Sequence, residues 1–179
     1  MTEKKSSMVK SAMNGGIVTG GILIFSSIFS YYFTLGTLFQ ILFFIIILAI
    51  CIYRIAKKYR DKELEGIISY EKSIGFGLLI SLFASIIIAF IVYVELNFAY
   101  PAAIDNLLNT MRLQYEKMGI AKSQIDTTMQ MAAKIMSPLF IAFMVILFFT
   151  FLGFISSLFT SMIVQKEGNT FNNTMKDIE

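Results

Sequence analysis

The 179-residue chain contains no histidine and a single cysteine, Cys51. Lacking histidine, it lacks the commonest general base and the commonest metal ligand. With one cysteine it cannot form an intrachain disulfide. Cys51 lies in an apolar run and reads as a small buried hydrophobe. Charge is scarce too: 15% of residues are Asp, Glu, Lys or Arg, where soluble domains carry about 25%. There are only two prolines, and the long apolar runs left uninterrupted argue for helices. A membrane barrel would instead alternate over segments of roughly ten residues. Without an acid–base pair inside the apolar runs, a non-enzymatic protein is expected. No residue is nominated as catalytic, cofactor-binding or metal-ligating, and no cofactor is implied.

Apolar residues are plentiful. They make up 56% of the chain, and the mean hydropathy is +0.72. A soluble fold of this size could not hide so much apolar surface, so the bilayer is the expected solvent. Four runs stand out: Ile17 to Phe33, Leu38 to Tyr53, Ile74 to Val94 and Pro138 to Val164. The Lys-flanked first run imitates a signal peptide, but no small-residue cleavage site follows. The predicted fold is an all-α integral membrane protein with transmembrane helices at about 12–33, 37–54, 73–96 and 138–164 in one membrane domain. A break at Thr34-Leu35-Gly36-Thr37 would make the first two a tight hairpin. A loop over 54–72, an amphipathic segment over 97–136 and a frayed polar tail over 165–179 complete the reading. Glu95 should end the third helix, and Ser137-Pro138 should start the fourth, with Ser as N-cap and Pro in the first turn.

Eleven Lys and Arg residues fall at the termini and in the 54–72 loop; only Arg112, Lys117, Lys122 and Lys134 fall on the other side. That asymmetry predicts cytoplasmic termini. It also accounts for the net charge of +3 without nucleic acid. Tyr31, Tyr32, Tyr93 and Tyr100 would then mark the outer interface, and Tyr53, Tyr59 and Tyr70 the inner one, with their hydroxyls wet.

Membrane helices associate through close approach at small residues. The first carries Gly16-x-x-x-Gly20, flanked by Gly15 and Gly21; the third carries Gly77, Ser81, Ser85 and Ala89; the fourth carries Gly153, Ser157 and Ser161. The second has no such ladder and is expected to face lipid. No ionisable residue lies in the middle of a run, the usual mark of a transporter. Glu95 reads as an interfacial residue, and Gln40 and Asn14 as hydrogen-bonding residues near helix ends. The basic run from Arg54 to Lys62 reads as topology-setting charge anchored to anionic lipid, or as a docking site for an acidic partner.

Beyond Pro101, residues Ile104, Leu107, Leu108, Met111, Tyr115 and Met118 recur at helical spacing, and Gly119 is a natural stop. Ser123 with Asp126 resembles a capping box for a second short helix through Ile125, Met129, Ala132 and Met136. The five methionines of this segment read as adaptable packing rather than copper ligands, because Met129 and Met131 would point apart on one helix.

The order of parts resembles a known family. A glycine-rich first helix leads directly into the second, and a basic loop runs into Tyr70-Glu71-x-x-Ile74-Gly75-Phe76-Gly77. Tyr100-Pro101 follows the third helix, then Met118-Gly119-Ile120, Ser123-Gln124-Ile125 and Ser137-Pro138. This is similar to the membrane family of unknown function numbered 4199, from Gram-negative bacteria. The family often has Asn or Asp before this proline, where Tyr100 stands. The resemblance implies a four-helix inner-membrane protein without an assigned activity, and no site residue carries over.

The expected role is that of a multi-pass interaction or scaffold protein whose external amphipathic segment is the recognition element. Its partners would be the bilayer and a protein partner or a second copy of itself. The alternative is a small transporter or permease subunit with a pore lined by Ser81, Ser85, Ser157 and Ser161. The topology makes a direct prediction: thiols engineered at Lys58 and Gln114 should react with an impermeant maleimide from opposite faces of a sealed vesicle. Labelling of both from one face would refute it.

Overall fold

The computed structural model describes residues 2–32, 37–99 and 102–166. Its helices are α1 (Thr2–Tyr32), α2 (Thr37–Glu63), α3 (Tyr70–Val94), α4 (Ala103–Lys117), α5 (Lys122–Ile135) and α6 (Pro138–Val164), with a π-helical turn, Glu95–Ala99, after α3. Four of them, α1, α2, α3 and α6, are long and apolar enough to cross a membrane. The amphipathic pair α4 and α5 lies between the third and the fourth. The chain is thus an all-α integral membrane protein of the architecture expected. The break at Thr34-Leu35-Gly36, the Tyr100-Pro101 element and the tail beyond Lys166 fall outside the described residues.

Several helix ends differ from expectation. α1 starts at Thr2, about ten residues earlier. α2 does not stop at Arg54 but runs nine residues further, to Glu63, so much of the expected 54–72 loop is helix. The reason is packing. Ile52, Ala56 and Tyr59 recur at spacings of four and three and are all buried, while Lys57 and Lys58 face out. Basic residues restrain a helix from crossing the bilayer; they do not end it. After Glu63 the chain turns through Glu65 and Gly66, both at positive φ (54° and 83°). The Gly66 N–H closes the turn on the Arg60 carbonyl at 2.9 Å. Past Val94 the helical path continues through the π-turn, with Glu95 exposed at its start.

The described residues fall into two compact units. One takes the described residues up to Ser85 and from Phe149 onward; the other is Ile86–Phe148.

In the first unit small residues set the packing. A Cβ on Gly77 would overlap the Ser157 hydroxyl and come within 3.0 Å of the Ile52 side chain. A Cβ on Gly153 would overlap Ser81. The two glycines therefore face serines across the α3–α6 contact, each notch filled by the other helix. Ser85 meets Thr150 at 3.1 Å, and Ser161 donates to Ser73 at 2.9 Å, extending the seam by hydrogen bonds. On α1, a Cβ on Gly16 would overlap Phe83 of α3, and one on Gly15 would lie 2.8 Å from Ile55 of α2. Most of these hydroxyls also satisfy themselves on their own helix: Thr19 donates to the Gly15 carbonyl, Ser81 to Gly77 and Ser157 to Gly153. That matters where no water is at hand.

α2 is divided along its length. Leu38, Phe39, Leu42, Ile46 and Ile50 form an exposed stripe at helical spacing, and only 11% of its apolar stretch is buried, against 33% for α1. Its later half, however, buries Leu48, Ile52, Ala56 and Tyr59. It touches α1 through Ile55, α3 through Ile52, and α6 through the Phe44–Phe149 ring pair at 6.0 Å. A helix without a glycine ladder can pack tightly, because the notches on its neighbours accept its large side chains.

Overfilling a notch should therefore be costly. Gly153→Leu is expected to destabilise the protein in detergent by about 1–3 kcal/mol. For the milder Gly153→Ala, adding Ser81→Gly should restore part of the loss. Thermal unfolding of the single and double variants measures both effects, and independent, additive losses would contradict the packing described.

Candidate functional site

Among the described residues, chemistry-bearing side chains gather at one place in each unit.

The first is where α1, α2 and α3 meet in the first unit. Here the basic half of α2 lies beside the serine-bearing start of α1. The Glu63 carboxylate accepts hydrogen bonds from the Ser7 and Ser11 hydroxyls, tying the two helices together. One turn deeper, the Tyr59 ring stacks on Phe76 of α3, with centroids 4.2 Å apart and planes 17° from parallel. Tyr59 is thus a core residue, not the wet interfacial tyrosine expected. Tyr70 also departs from that expectation, since its hydroxyl donates to the Leu158 carbonyl at 3.2 Å. Beside this stack opens a cavity of about 360 Å³, lined by Ser11, Asn14, Val18, Ile55, Lys58 and Lys62 among others.

The same end of the bundle closes on α6. The Arg60 guanidinium donates to the carbonyl of Val164, the last residue of α6, at 2.8 Å, and to Asp61 at 2.7 Å. A cation here satisfies an orphan carbonyl and complements the negative end of the helix dipole. Ile68 and Lys166 then pair as an antiparallel bridge, with both N–H···O distances 3.0 Å. The first residues of the expected frayed tail are thus tied down.

The second place is the α4–α5 hairpin. Ile104, Leu108, Met111 and Tyr115 are half-buried, Ile125 is buried, and Met129 and Ala132 are half-buried. These are the apolar positions read from the spacing, and they explain why α4 and α5 pack together. Leu107 and Met118, read onto the same face, are exposed instead. Gly119 ends α4 with φ 74°. The Ile120 N–H bonds the Tyr115 carbonyl and the Gly119 N–H bonds that of Glu116, the paired bonds of a glycine C-cap.

The Ser123–Asp126 capping box does not form. α5 begins at Lys122 with Ala121 at its N-cap and no side-chain cap. Asp126 instead pairs with Arg112 of α4. A charged partner across the hairpin draws the carboxylate more strongly than a backbone N–H does. Beside this pair lies a groove of about 390 Å³, lined by apolar Leu108, Met129 and Ala133 and by polar Asn109, Arg112, Asp126 and Gln130. In the same unit the Ser137 hydroxyl accepts from the Phe140 N–H at 3.3 Å, the cap expected before Pro138.

The serines considered as pore-lining are buried: Ser81 and Ser157 lie against Gly153 and Gly77, Ser85 against Thr150, and Ser161 against Ser73. Cys51 is buried in α2. Among the described residues, no three of His, Cys, Asp and Glu come close enough to hold a metal ion. Nothing in the local sequence pattern marks the cavity: Asn14 reads only as a helix-end residue, and the signal is the register of Ser7, Ser11, Asn14 and Val18 on one side of α1.

Fold and sites define a four-span membrane protein with a folded amphipathic hairpin between its last two spans. The chain belongs to the family described as "Protein of unknown function (DUF4199)", whose model matches residues 14–166. No curated protein and no solved structure matches it.

The closure at Arg60 is testable. Arg60→Ala is expected to cost about 1–2 kcal/mol of stability, since it removes a charged hydrogen bond from a helix terminus. It should also speed amide exchange near Val164 and Lys166. Unchanged exchange there would count against the cap.

Proposed function

We propose that this protein is a non-enzymatic interaction or scaffold protein of the bacterial inner membrane, with the α4–α5 hairpin as its recognition element. The Lys and Arg asymmetry supports cytoplasmic termini and an α2–α3 turn on the same side, with the hairpin on the outer face. The observation that carries the reading is the hairpin groove. Its lining combines apolar Leu108, Met129 and Ala133 with side chains able to donate and accept hydrogen bonds. Leu113, Met131 and Ile135 on the same two helices are exposed as well. A folded surface of this kind suits an extracytoplasmic segment of a second membrane protein better than chemistry. The hairpin holds its shape through its own cap and ion pair, so little ordering would oppose binding.

A photo-crosslinker at Gln114, which is exposed on α4, should capture a discrete partner in living cells. Replacing residues 102–136 by a flexible linker should leave insertion intact and abolish the crosslinked partner, now probed from Asn97. If the shortened protein kept every partner of the full chain, the hairpin would not be the recognition element.

A further inference from the structure

We propose that the cavity between α1 and α2 is a phospholipid site, which takes the phosphate of an anionic headgroup against Lys58 and Lys62 and the start of an acyl chain along Val18 and Ile55. This goes beyond the interaction reading and does not depend on it.

The argument rests on how the lining is ordered along the helix axes. Lys58 and Lys62 are one turn apart on α2, so their ammonium groups share one face. Ile55 lies about 4.5 Å before Lys58 at 1.5 Å per residue, and Lys62 about 6 Å beyond Lys58. Across the cavity α1 follows the same order: Ser11 and Asn14 sit at the polar end, Gly15 and Val18 at the apolar end. The lining thus runs from lysine, serine and asparagine at one end to valine and isoleucine at the other over roughly 10 Å of helix, with Tyr59 and Phe76 between them. Gly15 keeps the wall low, because a Cβ there would press on Ile55.

The charge is complementary to a phosphate. Two lysines and one carboxylate line the cavity, a net of +1 (2 − 1). The carboxylate is Glu63, whose oxygens accept from Ser7 and Ser11. Among the described residues, neither Lys58 nor Lys62 has an ion-pair partner. Both lysines are exposed and line the cavity, where they are open to a headgroup. Val18, in contrast, is 58% exposed on the side that would face lipid.

A free phosphorylated solute offers the same phosphate chemistry, so the test separates the two sources. Native mass spectrometry of the full chain in detergent, titrated with phosphatidylglycerol, should show one saturable lipid on the wild type. Lys58→Gln with Lys62→Gln should weaken it by about tenfold or more. Lys57→Gln removes a charge from the same helix outside the cavity and should change affinity less than twofold. Neither substitution touches the buried core, so folding survives in all variants. Equal losses in the cavity and control variants, or no loss in either, would overturn the site. Glycerol 3-phosphate competing as well as the lipid does would overturn the lipid as its occupant.

Discussion

The bundle depends on how closely α3 and α6 approach at Gly77/Ser157 and Ser81/Gly153. In a bilayer, burying apolar surface between helices gains little, because lipid tails are equally apolar. What remains is dispersion at short range and a few hydrogen bonds, and both need the backbones to come near. Each glycine here receives a serine from the facing helix, and those serine hydroxyls bond back to the carbonyl four residues earlier. The seam is therefore close-packed and internally satisfied at the same time. Ser85 with Thr150 and Ser161 with Ser73 add interhelical bonds to it, each worth about 0.6 kcal/mol in such settings.

From that seam the rest of the first unit follows. Gly77 leaves room for Ile52, which brings α2 against α3, and Gly16 leaves room for Phe83, which brings α1 against α3. Tyr59 can then lie flat on Phe76. Each small residue thus seats a large one on a neighbour. This explains why the helix richest in large residues still packs over half its length.

The spans were legible because length, hydropathy and the positions of Lys and Arg report directly on lipid as a solvent. The seam was legible because Gly77, Ser81, Gly153 and Ser157 repeat at the helical period. The extension of α2 to Glu63 was not, since its basic residues masked the Ile52, Ala56 and Tyr59 spacing beneath them. The partner of Asp126 was equally hidden: Arg112 lies fourteen residues away, and only the folded hairpin brings it near. The cavity beside Asn14 depends on the register between α1 and α2, which no local pattern encodes.

The Arg60–Val164 hydrogen bond joins residues 104 positions apart. During translation at about 5–20 residues per second, the arginine emerges several seconds before the carbonyl it will cap. Arg60 thus precedes its α6 partner in synthesis by the length of everything between them. The clasp between α2 and α6 can therefore form only once α6 has been made, long after α2 itself.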